Sequence, residues 1–136
     1  VAVLVDSNVI IDILTCDENW FSWSKGKLIQ LAAEGELIIN QIILAEVAVG
    51  LKSERELNLA VPESIFRRES LPWEAAFVAA KRFLEYRRRG RLKSVPLPDF
   101  YIGAHAIVKG YKLLTRDPKV YRNYFPELEI ITPAKP

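Results

Sequence analysis

The first six residues constrain the fold more than any other stretch. Val1-Ala2-Val3-Leu4-Val5 is apolar without a break, rich in valine, and stops at Asp6. A strand with one wet face alternates apolar and polar side chains. An unbroken apolar run instead predicts a strand covered on both faces, the position of a central strand in a parallel sheet. Helices must then flank the sheet on both sides. The chain supplies them, over about Val9 to Leu14 (with Ser7 or Asn8 as cap), Asp17 to Glu34, and Gln41 to Leu51 behind an Asn40 cap. Further helices are expected over Ser53 to Leu59, from Ser70-Leu71-Pro72-Trp73 to about Arg89, and from Pro98 to Lys109. Short β-rich runs fall between them at Leu37-Ile38-Ile39, Lys112 to Thr115 and Leu128 to Ile131, the last on an edge. Pro62 to Arg68 reads as extended or loop, and Gly90 to Pro96 as loop. Strands alternating with helices imply a three-layer α/β/α sandwich around a mostly parallel sheet of four to five strands. With 136 residues and no dividing linker, residues 1–136 are expected to form one domain.

Ligands of an open parallel sheet gather at the carboxyl ends of its strands. Asp6 sits at such an end. Asp99 and Asp117 return to it by simple length. The 12-residue helix after Leu97 travels about 18 Å, Gly110 suits its left-handed stop, and the strand that follows returns about 15 Å. Glu46 is the fourth acid, inside the otherwise apolar Ile42-Ile43-Leu44-Ala45-Glu46-Val47-Ala48-Val49. A helix apolar all round is expected to be buried, and a carboxylate there is costly unless paired or metal-bound. Each acid has an ordinary explanation alone: Asp6 as a cap, Asp99 as a dipole partner, Asp117 as a turn residue, Glu46 as half of an ion pair. Their convergence on one edge is what argues for a shared site. Carboxylates brought together repel unless a positive charge lies between them. Oxygen-only ligands favour Mg²⁺ or Mn²⁺, and such a site can polarise a phosphate and activate water.

Other features narrow the function classes. Cys16 is the lone cysteine, so no internal disulfide forms. No run has the flanks of a signal peptide or the length of a membrane span, so a cytoplasmic protein is expected. The net charge is only +2, yet Lys81, Arg82, Arg87, Arg88, Arg89, Arg91 and Lys93 cluster along one helix and its following loop. That cluster suits RNA phosphates, an acidic partner segment, or simply solvent at a helix C-terminus. Arg116 is a sharper candidate for a phosphate, a partner carboxylate or a site acid, because it adjoins Asp117. Trp20 and Trp23 suit core-edge packing, a partner groove or base stacking.

Several motifs in order resemble the PIN-domain ribonucleases, and within them the VapC-type toxins of bacterial and archaeal toxin–antitoxin pairs. They are Val3-Leu4-Val5-Asp6-Ser7-Asn8, Leu44-Ala45-Glu46-Val47, Leu97-Pro98-Asp99 with Ile102-Gly103-Ala104, and Leu113-Leu114-Thr115-Arg116-Asp117. The resemblance covers nearly the whole chain. It implies a PIN-like fold and a metal-dependent endoribonuclease, often acting on tRNA or rRNA and leaving a 5′-phosphate and a 3′-hydroxyl. It also implies a homodimer and a VapB-type antitoxin. Carried onto this chain, Asp6 and Asp99 hold the principal metal, Glu46 acts through it or its water, and Asp117 completes the pocket. Ser7, Asn8 and Thr115 match supporting polar positions, and Arg116, Arg87, Arg88 and Arg89 are the candidate RNA contacts. The chain departs from the family at His105, where a small or apolar residue is usual. Position 105 lies about 120° around the helix from Asp99, so His105 is expected outside the pocket.

Three other readings share some of this logic. A structure-specific DNA nuclease of the flap-endonuclease kind has the same acidic pocket, but this chain lacks room for that group's extra DNA-binding elements. A silent RNA-binding or scaffold PIN domain would have lost acids that this chain keeps. A receiver-type phosphoacceptor needs an aspartate after a central strand where this chain has Asn40.

Overall fold

The computed structural model describes residues 2–90 and 97–133. Val1 of the opening run, and Arg91 and Lys93 of the basic cluster, lie outside the described residues. Twelve elements follow in order: β1 (Val3–Val5), α1 (Ser7–Leu14), α2 (Phe21–Glu34), β2 (Leu37–Ile39), α3 (Gln41–Ala48), α4 (Glu54–Ala60), β3 (Phe66–Arg68), α5 (Glu74–Arg88), α6 (Leu97–Lys109), β4 (Lys112–Leu114), α7 (Lys119–Tyr124) and β5 (Ile130–Ile131). Every strand pair is parallel, in the order β3-β2-β1-β4-β5.

The apolar opening run is the middle strand. Val3, Leu4 and Val5 are buried, with Leu4 opposite Ile38 on one side and Leu113 on the other. Chain direction follows from this order. From β1 the chain moves outward through β2 to β3, then crosses back past β1 to β4 and β5. Right-handed crossovers put the helices of the first leg on one face and those of the second on the other. The contacts agree, with α1 against α2 and α3, and α5 against α6 and α7. The direction reverses between β1 and β4, which makes the carboxyl end of that pair the crevice of the sheet.

Three elements sharpen or depart from the sequence expectation, the first of them the stretch read as extended or loop. Phe66–Arg68 is a true edge strand, paired with Leu37–Ile39. Its two exposed arginines hide the β signal, as charges on edges often do. The second helix begins at Phe21 because the Asp17 carboxylate accepts N–H bonds from Asn19 and Trp20, closing a turn before it. α7 is short and starts behind Pro118, which reads as punctuation. Helix α3 is also less enclosed than its composition suggests. Ile43 and Val47 are buried, whereas Val49 just past its end is 87% exposed and Glu46 is half-buried. Among the described residues no helix is long and apolar enough to cross a membrane.

The second helical layer is held by aromatic packing. Phe100 meets Phe83, Tyr86, Tyr124 and Phe125 at ring separations of 5.3 to 6.0 Å. α6 comes this close to Phe125 because residue 103 is glycine. A Cβ there would lie 2.7 Å from the Phe125 ring, which is fully buried. At the far end of α6, Gly110 adopts φ 72°, and the Tyr111 N–H reaches back to the Ala106 carbonyl at 2.8 Å. Gly103→Ala should therefore destabilise the fold by about 1–3 kcal/mol, although alanine is the better helix former. Urea unfolding measures this, and a stabilised variant would show that the approach is looser than described.

Candidate active site

Asp6 does two things at once. It is the N-cap of α1, its Oδ1 accepting the Ser7 N–H at 2.8 Å, and it is the first residue past the central strand. The Asp6 N–H donates to the Leu114 carbonyl, so the β1–β4 seam continues up to the crevice. Of the three caps that the sequence offers, Asp6 takes the role in place of Ser7 or Asn8. Both are instead released for other bonds. The Ser7 hydroxyl donates to Glu46 Oε1 at 2.8 Å, joining α1 to α3. The Asn8 amide donates to Thr115 Oγ1 at 3.1 Å, and its carbonyl oxygen accepts the Arg116 N–H, joining α1 to the turn after β4.

Thr115 organises that turn. Its buried hydroxyl donates to Asp6 Oδ2 at 2.9 Å and accepts the Asp117 N–H at 3.1 Å. Asp6 Oδ2 also accepts the Tyr121 hydroxyl at 3.2 Å. Tyr121 is nearly fully buried on α7, and the sequence reading missed it. The signal was weak: one of two tyrosines on a six-residue helix, four positions past Asp117.

Asp99, in the first turn of α6, completes the cluster. Burial and the charges of Asp6, Glu46 and Asp117 all push its carboxyl up, to about 7. Burial chiefly, and then Glu46, raise Asp6 to about 6, although the bonds from Thr115, Ser7 and Tyr121 pull the other way. The Tyr121 hydroxyl is pushed well up by burial and by the same acids. Carboxylates from three other segments thus all push on Asp99 in the same direction. Among the described residues, no three His, Cys, Asp or Glu side chains stand together as a ready ion cage. The donor set is all oxygen, and its members repel one another. It fits a hard divalent ion that keeps much of its own water, as Mg²⁺ does.

The basic candidates divide. Arg116 turns away from the acids and forks onto Asp12, with Nε to Oδ2 at 2.8 Å and Nη2 to Oδ1 at 3.0 Å. Asp12 is buried and takes a further bond from the Ser24 hydroxyl, and the Arg116 guanidinium lies 5.6 Å from the Trp20 ring. Breaking such a pair leaves a buried charge unmatched, so Arg116 chiefly ties the β4–α7 turn to α1 and α2. Arg87 lies over Phe83, and Arg89 pairs with Glu85 and lies over Tyr124. With Arg88 they end α5, whose last turns pack on Phe100, the neighbour of Asp99. Trp23 packs at the edge of the core. His105 is fully buried outside the pocket, between Asn40 and Glu69.

The family described as PIN domain matches residues 3–126. No curated protein matches the chain. Solved structures do. The VapBC2 complex of Rickettsia felis, bound to a DNA fragment from its promoter, has a chain 18% identical, with a TM-score of 0.78 over 98% of this chain and 100% of that one. A toxin–antitoxin complex from Klebsiella pneumoniae has a chain 24% identical, with a TM-score of 0.67 over 98% and 99%. VapC20 of Mycobacterium tuberculosis, described as a sarcin-ricin loop cleaving toxin, is 15% identical, with a TM-score of 0.62 over 89% and 94%.

Raised carboxyl pKa values carry a definite sign. The folded metal-free protein binds protons at Asp6 and Asp99 that the unfolded chain, near pKa 3.8, has released. Its stability should therefore rise as pH falls from about 8 towards 5. Buried His105, lowered by desolvation, opposes this trend. Asp99→Asn isolates the term: the variant should be more stable than the wild type at pH 8, with the gap closing by pH 5. Thermal melts without metal measure the gap, and a constant gap would contradict the carboxylate repulsion.

Proposed function

This chain belongs to the PIN-domain family, and on that premise we propose that it is a divalent-metal-dependent endoribonuclease, the VapC-type toxin of a toxin–antitoxin pair. It hydrolyses RNA phosphodiester bonds, leaving a 5′-phosphate and a 3′-hydroxyl, and residues 1–136 act as one domain. The observation that carries the reading is the Asp99 carboxyl, pushed up by burial and by three other carboxylates at the sheet's crevice. Asp6, Glu46, Asp99 and Asp117 would hold Mg²⁺ or Mn²⁺. Bound there, the ion would polarise a phosphate oxygen and make water a nucleophile at neutral pH.

The chain's own residues do the positioning. Thr115 and Tyr121 fix Asp6 Oδ2, and the Ser7 N–H fixes Oδ1, so that carboxylate cannot swing. The Ser7 hydroxyl does the same for Glu46, and Asn8 holds the turn that carries Asp117. Such outer partners orient ligands and are commonly worth about 10–100-fold in metal affinity or activity. The arginines ending α5, at the same end of α6 as Asp99, give an RNA backbone a basic approach. The RNA substrate class is supported by the loop-cleaving relative, which is described as acting on the sarcin-ricin loop. tRNA or rRNA is the expected target, in the cytoplasm.

A VapB-type antitoxin is the expected partner, because the similar structures are toxin–antitoxin complexes. An apolar groove of about 380 Å³ between α1, α2 and β3, lined by Ile10, Ile13, Leu28 and Phe66, with Leu14 and Ile29 exposed at its rim, suits an amphipathic segment. A homodimer is also expected.

Asp99→Asn should lower Mg²⁺-dependent cleavage of total cellular RNA by more than about 100-fold, beyond the loss of an outer partner, while the far-UV spectrum stays unchanged. Full activity in that variant, unchanged wild-type activity in excess chelator, or cleavage of DNA in place of RNA would overturn the proposal.

A further inference from the structure

One buried polar chain lies outside the acidic pocket. Asn40 is the N-cap of α3, and its Oδ1 accepts the Ile43 N–H at 3.0 Å. That bond settles which way the amide faces, so Nδ2 points at His105 Nδ1, 2.9 Å away. An amide NH₂ can only donate, so Nδ1 must be the bare, accepting nitrogen. The proton is then on Nε2, which donates to Glu69 Oε2 at 2.7 Å. The other Glu69 oxygen accepts the Tyr111 hydroxyl at 2.7 Å and Arg67 Nη1 at 3.2 Å. Asn40 and His105 are both buried, so every donor and acceptor must be matched.

The chain connects the two helices that bear the acids most in need of fixed spacing. Glu46 is on α3, one turn beyond the bonded Ile43. Asp99 is on α6, less than two turns before His105. Ser7 holds the Glu46 carboxylate, but nothing about Ser7 relates α3 to α6. The Asn40–His105 bond does so directly, and Glu69 fixes the tautomer that makes the bond possible.

We propose that Asn40, His105 and Glu69 form a positioning relay that holds the Glu46 helix in register with the Asp99 helix. The inference rests on the nuclease reading for its kinetic consequence but not for its structural one. His105 never meets the substrate. It acts through the cap of α3.

The relay makes demands that mere core packing would not. His105→Gln keeps a donor for Glu69 but offers Asn40 no acceptor at the Nδ1 position. His105→Asn keeps the acceptor for Asn40 and gives up Glu69. If the relay positions α3, His105→Gln should lose about 10–100-fold in kcat, the scale of an ångström-sized misplacement, with KM little changed. His105→Asn should retain most of the activity. A single histidine makes the second readout unambiguous. Imidazole ¹⁵N NMR of the wild-type chain should show Nδ1 bare and Nε2 protonated, and Ile43 N–H exchange should quicken in His105→Gln but not in His105→Asn. Equal kinetics in the two variants, a protonated Nδ1, or unaltered Ile43 exchange in His105→Gln would overturn the relay. Inactive wild-type protein with the expected tautomer and exchange pattern would instead refute the nuclease reading and leave the structural link intact.

Discussion

The hydrogen bond from the Thr115 hydroxyl to Asp6 Oδ2 closes the seam on which the rest of the structure depends. It spans the two strands between which the chain reverses direction. On one side are the helices of the first leg, on the other those of the second. Everything drawn into the crevice arrives by reference to that pair: Ser7 and Glu46 through the start of α1, Asp117 through the Thr115 turn, and Tyr121 through α7. Asp6 is consumed neither as a cap nor as a strand end. One carboxylate serves both and keeps its place at the crevice.

That arrangement costs stability. A fold chosen only to persist would place a lysine or arginine among these acids, or remove them. The Arg116 guanidinium, beside Asp117 in sequence, is held by Asp12 instead. Asp6 and Asp99 are consequently left to share charge at pKa values of about 6 and about 7. Perturbed groups of this kind, in a crevice and perturbed by one another, gather where chemistry is done. Outside the crevice, Glu127 is matched by Arg82 at 2.6 Å and Glu69 by three donors.

Much of this was legible in the chain. The unbroken Val3-Leu4-Val5 could only be a central strand, and the distance from Asp99 to Asp117 and back follows from helix and strand rise alone. The family resemblance points to Thr115 and Asn8 as supporting positions, and their side chains bond to each other at the β1–β4 seam. What stayed hidden were contacts that depend on tertiary neighbours. Edge strand β3 ends in two arginines, so the sequence shows an extended or loop stretch there but not its pairing. The exposed side of α3 cannot be told from its apolar sequence, because burial depends on what covers the helix. Arg116 stands beside Asp117 in sequence, yet its side chain leaves for Asp12, over a hundred positions away. Tyr121 finds Asp6 across a similar separation.

On the proposed reading, four mutually repelling carboxylates are one binding site for a divalent cation. Calorimetric titration of Mn²⁺ into the wild-type chain at pH 7, repeated in buffers of different ionisation enthalpy, tests it most directly. Because Asp99 titrates at about 7, metal binding should be saturable and should release protons. The heat should therefore vary with the buffer. Saturable binding that releases no protons, or no binding at all, would contradict the account.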